Sequence, residues 1–279
     1  MAELAGMRFR RYGFTMCTAP HSDADEQVKV MTTPEQTAAE RAIRIDLAAA
    51  YRLVALQGWD DMIFTHISAR VPGPEHNFLI NPYGMLFSEI TASSLVKVGL
   101  DGKAIGESRY PVNPAGFTIH SAVHEVREDA GCVMHLHTLD GTAVATAREG
   151  LLPLNQTAQL VIGDLAYHDY EGVALDHAER PRLQQDLGDK NLVLLRNHGT
   201  LAVGQTVAEA FMRMYYLERA CSMQVRTRIL GRDDYPTAPS VVDKNIALSR
   251  SGGMNYLAKE LLWPALLRKL DRLDASFRD

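Results

Sequence analysis

Cysteine is scarce in this chain and cannot be paired off: Cys17, Cys132 and Cys221 are the only three in 279 residues. An odd, widely spaced set builds neither a disulfide framework nor a zinc knuckle, so a reducing cytoplasm is the expected compartment. Long apolar runs are missing as well. Nothing approaches the ~20 residues that span a bilayer, and no membrane partner is expected. Nor is there an excess of basic charge: 29 Lys and Arg stand against 34 Asp and Glu, a net charge of −5. Binding to a phosphate backbone needs a basic face, so nucleic acid is not an expected partner either. Internal repeats and a convincing linker are absent between residues 34 and 232.

What is present is an ordinary core-forming composition, 46% hydrophobic and 23% charged. Residues 1–32 are polar and without period after Pro20, and are read as a flexible leader. Thr33 and Pro34 look like a helix start, with the helix running to Leu56 and ending at Gly58. Residues 62–71, 77–81 and 96–98 read as strands, with Asp101-Gly102 as a hairpin turn. Helices are expected over 117–126, 140–148, 181–187 and 207–230, the last opened by Thr206 with Glu209 in the capping-box position. Residues 33–232 form one mixed α/β domain on this reading. Residues 233–279 are an extension carrying a short amphipathic helix around Trp263 and Leu266, whose apolar face needs a surface to cover.

Histidine carries the chemistry. His135 and His137 lie in an apolar strand, where side chains two apart share a face. Buried without partners, two imidazoles would each cost about 1–3 kcal/mol; a shared metal ion removes that objection. His198 follows a second apolar strand, 192–195, at a turn closed by Gly199. Three imidazoles there make a facial site with coordination positions left open.

Six blocks in order give the chain a resemblance: Thr65-His66-Ile67-Ser68-Ala69-Arg70, Asn81-Pro82-Tyr83-Gly84-Met85-Leu86, Asn113-Pro114-Ala115-Gly116-Phe117-Thr118-Ile119-His120, His135-Leu136-His137-Thr138, Gly163-Asp164-Leu165-Ala166-Tyr167-His168-Asp169-Tyr170 and Arg196-Asn197-His198-Gly199. They resemble the class II aldolase/adducin family, in particular its adducin-like branch. The resemblance implies a three-layer α/β/α sandwich around a central mixed, largely antiparallel β-sheet. It also implies a homo-oligomer, dimer or tetramer, with metal near a subunit contact. His135, His137 and His198 match the metal ligands; zinc is the expected ion, with manganese or iron(II) as alternatives.

Three departures from the family pattern bear on function. The sugar-phosphate enzymes carry an acid nineteen positions before the first paired histidine; here that position is Gly116. Their glycine- and asparagine-bearing phosphate loop corresponds to Thr65-His66-Ile67-Ser68, which has neither. The tyrosine that protonates their leaving group is missing too: Gln156 lies near its place, and Tyr167 or Tyr170 could replace it only if the fold brings them in. His120, four residues after Gly116 on the same predicted helix, is the candidate catalytic residue: a fourth ligand, a partner of a ligand, or a replacement proton-transfer group. The alternative is a buried structural histidine. His66 could face the pocket or serve only the turn. Glu89 is expected to cap the following turn, Arg196 and Asn197 to hold His198, and His124, His168 and His177 to be surface or structural.

The expected function is a metal-dependent carbon–carbon lyase, aldolase or decarboxylase in type, acting on a small oxygenated carbonyl or acid substrate other than a sugar phosphate. An iron(II) oxygenase and a non-catalytic adducin-like assembly module are the competing readings.

Overall fold

The computed structural model describes residues 34–106, 108–173 and 177–279; the expected leader lies outside them. Helix α1, Pro34–Gln57, ends where Gly58 takes a left-handed φ of 68°. Strands β1 (His66–Arg70), β2 (Phe78–Ile80) and β3 (Val96–Val98) follow, then helix α2 (Pro114–Val126) and strand β4 (Cys132–Leu136). Helices α3 (Leu139–Thr146) and α4 (Gln156–Val161) lead to β5 (Leu165–His168), α5 (Arg180–Leu187), β6 (Leu192–Leu195) and β7 (Gly199–Gly204). Helix α6, Val207–Ile229, begins at Thr206, whose side chain accepts from the Glu209 amide.

The seven strands form one sheet in the order β3-β2-β1-β4-β7-β6-β5. Only β5 and β6 run parallel; every other neighbouring pair is antiparallel. Alternation along the strands sorts the core into two layers. Ile67, Ala69, Cys132, Met134, Leu194 and Ala202 face a cluster shared with α1 and α6. Val133, Val193, Leu195, Leu201 and Val203 face a second cluster with Ile119 and Val123 of α2 and Leu183 and Leu187 of α5. The architecture is therefore the expected mixed, largely antiparallel sheet between helical layers.

Two details differ from the sequence expectation. The strand expected over 62–71 covers only His66–Arg70, because Met62 turns the chain with φ 50°. The apolar tail is covered within the chain: in the helix Trp263–Leu273, Trp263 donates to Asp46 of α1 at 2.8 Å and Leu270 is buried. Backbone bonds from Ala92 to Phe277 and from Ser93 to Asp279 fasten the C-terminus. An exposed apolar tail therefore gives no reason for a partner surface. Among the described residues, no helix is long and apolar enough to cross a membrane.

Candidate metal centre

His135 lies near the end of β4, on the face occupied by Val133, and His137 follows just past the strand. The β6–β7 turn brings His198 to the same place, through Asn197 at φ 54°, a left-handed conformation that asparagine tolerates. Arg196 pins this turn by donating to the Ala147 carbonyl at 2.8 Å, and its guanidinium stacks on Tyr167 at 4.3 Å. Gly199 is required where β7 begins, since a Cβ there would lie 2.4 Å from the Leu136 carbonyl oxygen and 3.1 Å from His137. One ligand nitrogen from each of the three imidazoles falls within 4.8 Å of the others. His135 is buried, while His137 and His198 reach toward solvent.

The protonation of this group follows from its hydrogen bonds. His135 Nδ1 is 3.0 Å from the Thr200 carbonyl oxygen, and His137 Nδ1 is 3.0 Å from Asp61 Oδ2. Both partners are acceptors, so both Nδ1 atoms carry protons. In the neutral rings each Nε2 is then a bare lone pair, yet the two Nε2 atoms lie 3.0 Å apart. Facing lone pairs repel; a cation between them turns the contact attractive. A shared proton could join two of these nitrogens, but a metal ion serves all three. Burial and the neighbouring imidazoles hold His135 well below the ordinary histidine pKa, and burial takes His198 to about 4, so both rings favour the neutral form that can offer a lone pair. The residues present thus fit a divalent ion, with the Thr200 carbonyl and Asp61 orienting two of the rings.

His120, for which the sequence left open a ligand, a partner of a ligand, a proton-transfer group or a buried structural residue, is buried with both ring nitrogens engaged: Nε2 by His66 Nδ1 at 2.9 Å, Nδ1 by Ser68 Oγ at 2.5 Å. His66 stands on the triad side instead, its ring 4.7 Å from that of His120 and 5.1 Å from that of His135. The cause is register: His66 pairs directly with His135 across β1 and β4, whereas His120 sits on α2, a layer away. The space above Gly116 is filled by the His66 ring, 2.7 Å from where a Cβ would be.

From His66 onward, the stretch equivalent to the phosphate loop is strand, not loop. The Ile67 amide donates to the buried Tyr51 hydroxyl at 2.7 Å, and His66, Ser68 and their neighbours pair with β4, so these amides are spent within the fold. Glu89 accepts from the Leu86 amide at 2.8 Å, so it closes the turn before it and not the one after. Tyr167 is engaged by the Leu151 amide and Arg196, whereas half-exposed Tyr170 lies 6.3 Å from the His198 ring. His124 is buried beneath the sheet, and His168 is held between Asp186 and Glu179. Asp61 went unnoticed in the sequence, where one acid of an Asp60-Asp61 pair carries no signal.

A mixed sheet with three imidazoles gathered at its strand ends is the arrangement of a class II aldolase-type domain. Residues 45–225 match the Class II Aldolase and Adducin N-terminal domain family, and the chain belongs to that family. A Caulobacter vibrioides protein assigned only by name to the class 2 aldolases is 58% identical over 241 residues, 86% of this chain and 93% of its own. Mouse alpha-adducin is 50% identical over 84% of this chain, which corresponds to 34% of the adducin. Among solved structures, an aldolase II superfamily protein from Pseudomonas syringae superposes with a TM-score of 0.82 at 43% identity, over 89% of this chain and 98% of that one. L-fuculose 1-phosphate aldolase from Glaciozyma antarctica superposes with 0.77 at 25% identity, over 90% and 97%.

Proposed function

We propose that this chain is a metal-dependent carbon–carbon lyase, an aldolase or decarboxylase in type, whose substrate is a small oxygenated carbonyl or acid compound and not a sugar phosphate. His135, His137 and His198 would hold the divalent ion, zinc first and manganese or iron(II) as alternatives. The observation that carries this reading is the 3.0 Å approach of two imidazole nitrogens whose other nitrogens are already donating. When bound, such an ion supplies Lewis acidity that polarises a carbonyl and stabilises an enolate. The chain supplies three imidazole nitrogens, a carboxylate that orients His137, and an open side toward solvent.

Two features argue against the sugar-phosphate chemistry named for the fuculose enzyme. Position 116 offers no acid, and the amides of His66, Ile67 and Ser68 are spent on β4 and the Tyr51 hydroxyl. Similarity to alpha-adducin supports a second reading, a non-catalytic assembly module; the retained triad, with the tautomers of His135 and His137 matched to it, favours the enzyme. An iron(II) oxygenase uses the same neutral site. Elemental analysis of protein purified without chelator, repeated after anaerobic iron loading, separates these readings. Stoichiometric zinc or manganese supports the lyase, tightly held iron with oxygen consumption the oxygenase, and failure to bind any divalent ion the assembly module.

The working form is a homo-oligomer, dimer or tetramer, in this proposal. Leu139 is 89% exposed beside the triad, in a shallow depression with Thr142, Ala143 and Thr146. An uncovered leucine at a reaction site is a natural contact for a second copy. Sedimentation showing a folded monomer at micromolar concentration would remove this part.

A further inference from the structure

Beneath the triad, four buried side chains form one continuous line of hydrogen bonds: His66 Nδ1 to His120 Nε2 at 2.9 Å, His120 Nδ1 to Ser68 Oγ at 2.5 Å, and Ser68 Oγ to His124 Nε2 at 2.8 Å. The line ends at His124 Nδ1, 3.1 Å from the carbonyl oxygen of Ala130. His66 and Ser68 share a face of β1 because they are two apart, and His120 and His124 share a face of α2 because they are four apart. The sheet and the helix therefore zip the four together.

The terminal carbonyl determines every proton in the line. A carbonyl only accepts, so His124 Nδ1 carries the hydrogen, and a neutral imidazole has just one. His124 Nε2 must then accept, from the Ser68 hydroxyl. With its single proton committed, Ser68 Oγ can only accept, from His120 Nδ1. His120 Nε2 in turn accepts from His66 Nδ1. His66 Nε2 is what remains: a lone pair, with no hydrogen bond to any described residue. All four side chains are buried, which disfavours a charged ring, and Arg70, which donates to the His124 carbonyl at 2.6 Å, adds to the effect at His124. Because the line stops at a carbonyl, it leads no proton to solvent; it orients.

That lone pair lies 3.1 Å from where a Cβ on Gly116 would be, on a ring packed against His135. We propose that His66 Nε2 receives a hydroxyl of the substrate, with Ser68, His120 and His124 as positioning residues that hold His66 in the accepting tautomer. The placement of the hydroxyl rests on the reading of the triad as a metal site; the order of the protons does not. The ligand class follows: an α-hydroxy acid or α-hydroxy carbonyl compound, whose carbonyl or carboxylate oxygen seeks the ion while its O–H meets His66. A second anionic oxygen at that position would face a lone pair and be repelled.

Two measurements test this. Nitrogen-15 NMR of histidine-labelled, metal-free protein at neutral pH reads each tautomer directly. His66, His120 and His124 should all be protonated on Nδ1, with the alternative tautomer of His66 disfavoured on the order of tenfold or more, the scale set by one unpaired buried polar group. In Ser68→Ala the His66–His120 pair should become a mixture, while His124 keeps its proton on Nδ1. Protonation of His66 on Nε2 in the wild-type protein overturns the proposal, and so does a His66 tautomer unchanged in Ser68→Ala. The wild-type reading suffices if that variant fails to fold. The second measurement is calorimetric binding of glycolate and methoxyacetate to zinc-loaded protein. Glycolate should bind about tenfold more tightly, and His66→Ala should lose that preference while retaining zinc. Equal binding in the wild-type protein, or a preference that survives His66→Ala, overturns the hydroxyl assignment. A wild-type protein that takes up no zinc overturns the metal reading and the placement with it, whereas the proton order is decided separately in the metal-free protein.

Discussion

The imidazole of His66 occupies the space that a side chain at Gly116 would need: a Cβ on Gly116 would lie 2.7 Å from His66 Cδ2 and 2.9 Å from its Cγ. The two positions are thus a single choice. Either position 116 carries a side chain or residue 66 carries a ring in this orientation, and this chain has taken the ring.

Gly116→Ala should therefore destabilise the protein even though it replaces a helical glycine. Alanine returns up to about 1 kcal/mol of helix propensity, whereas overpacking a tight site costs about 1–3 kcal/mol. Urea unfolding should show a lower midpoint for Gly116→Ala in the wild-type background. In a His66→Ala background the sign should reverse, because the obstructing ring is gone and only the propensity gain remains. The same sign in both backgrounds would mean that the contact does not limit position 116.

The sequence made the triad legible because its cues are local. Two histidines at strand period and a third beside a glycine at a strand end can be read without knowing which strands pair. The sheet's mixed character came through the resemblance, and α2 through its own periodicity. What decided the rest was the register between β1 and β4, which depends on residues far apart in the chain. It placed His66 against His135 and left His120 behind it, so His66 and not His120 packs beside the triad. Asp61 was invisible for the same reason: its importance lies in the loop reaching His137, not in its neighbours. The tail at Trp263 misled because amphipathic pattern reports that a face will be covered, not by which chain.

Acid should weaken the metal-free protein through His124. Its pKa is depressed in the folded chain to about 3, by burial first and by Arg70 second, against about 6.5 in the unfolded chain. Between those values the unfolded state binds a proton that the folded state refuses, so stability falls as pH drops from about 6.5 toward 3 and levels off below. His124→Gln removes this one titration. Urea unfolding across pH 7 to 4 should give a shallower loss of stability for the variant, by up to one proton in the linkage slope. Identical slopes for the two proteins would show that His124 is already protonated in the fold, and would break the proton order inferred for its neighbours.

Asp61 should matter to the metal and hardly at all to the fold. Its carboxylate accepts the Nδ1 proton of His137 at 3.0 Å, yet its side chain is 43% exposed, a setting where an ion pair is worth about 0–1 kcal/mol of stability. Its effect on the ion is larger, because it fixes the His137 tautomer and aims Nε2 at the centre of the triad. Removing such a partner typically costs about 10–100-fold in affinity. Zinc competition against a chromophoric chelator should rank wild type above Asp61→Asn, and Asp61→Ala last. Asparagine can still accept the proton through its amide oxygen but lacks the charge that makes the ring a stronger donor to the ion. Urea midpoints of the three metal-free proteins should lie close together. Unchanged zinc affinity in Asp61→Ala would show that His137 is oriented by something else. An affinity loss accompanied by a large fall in midpoint would assign Asp61 to the fold rather than to the ion.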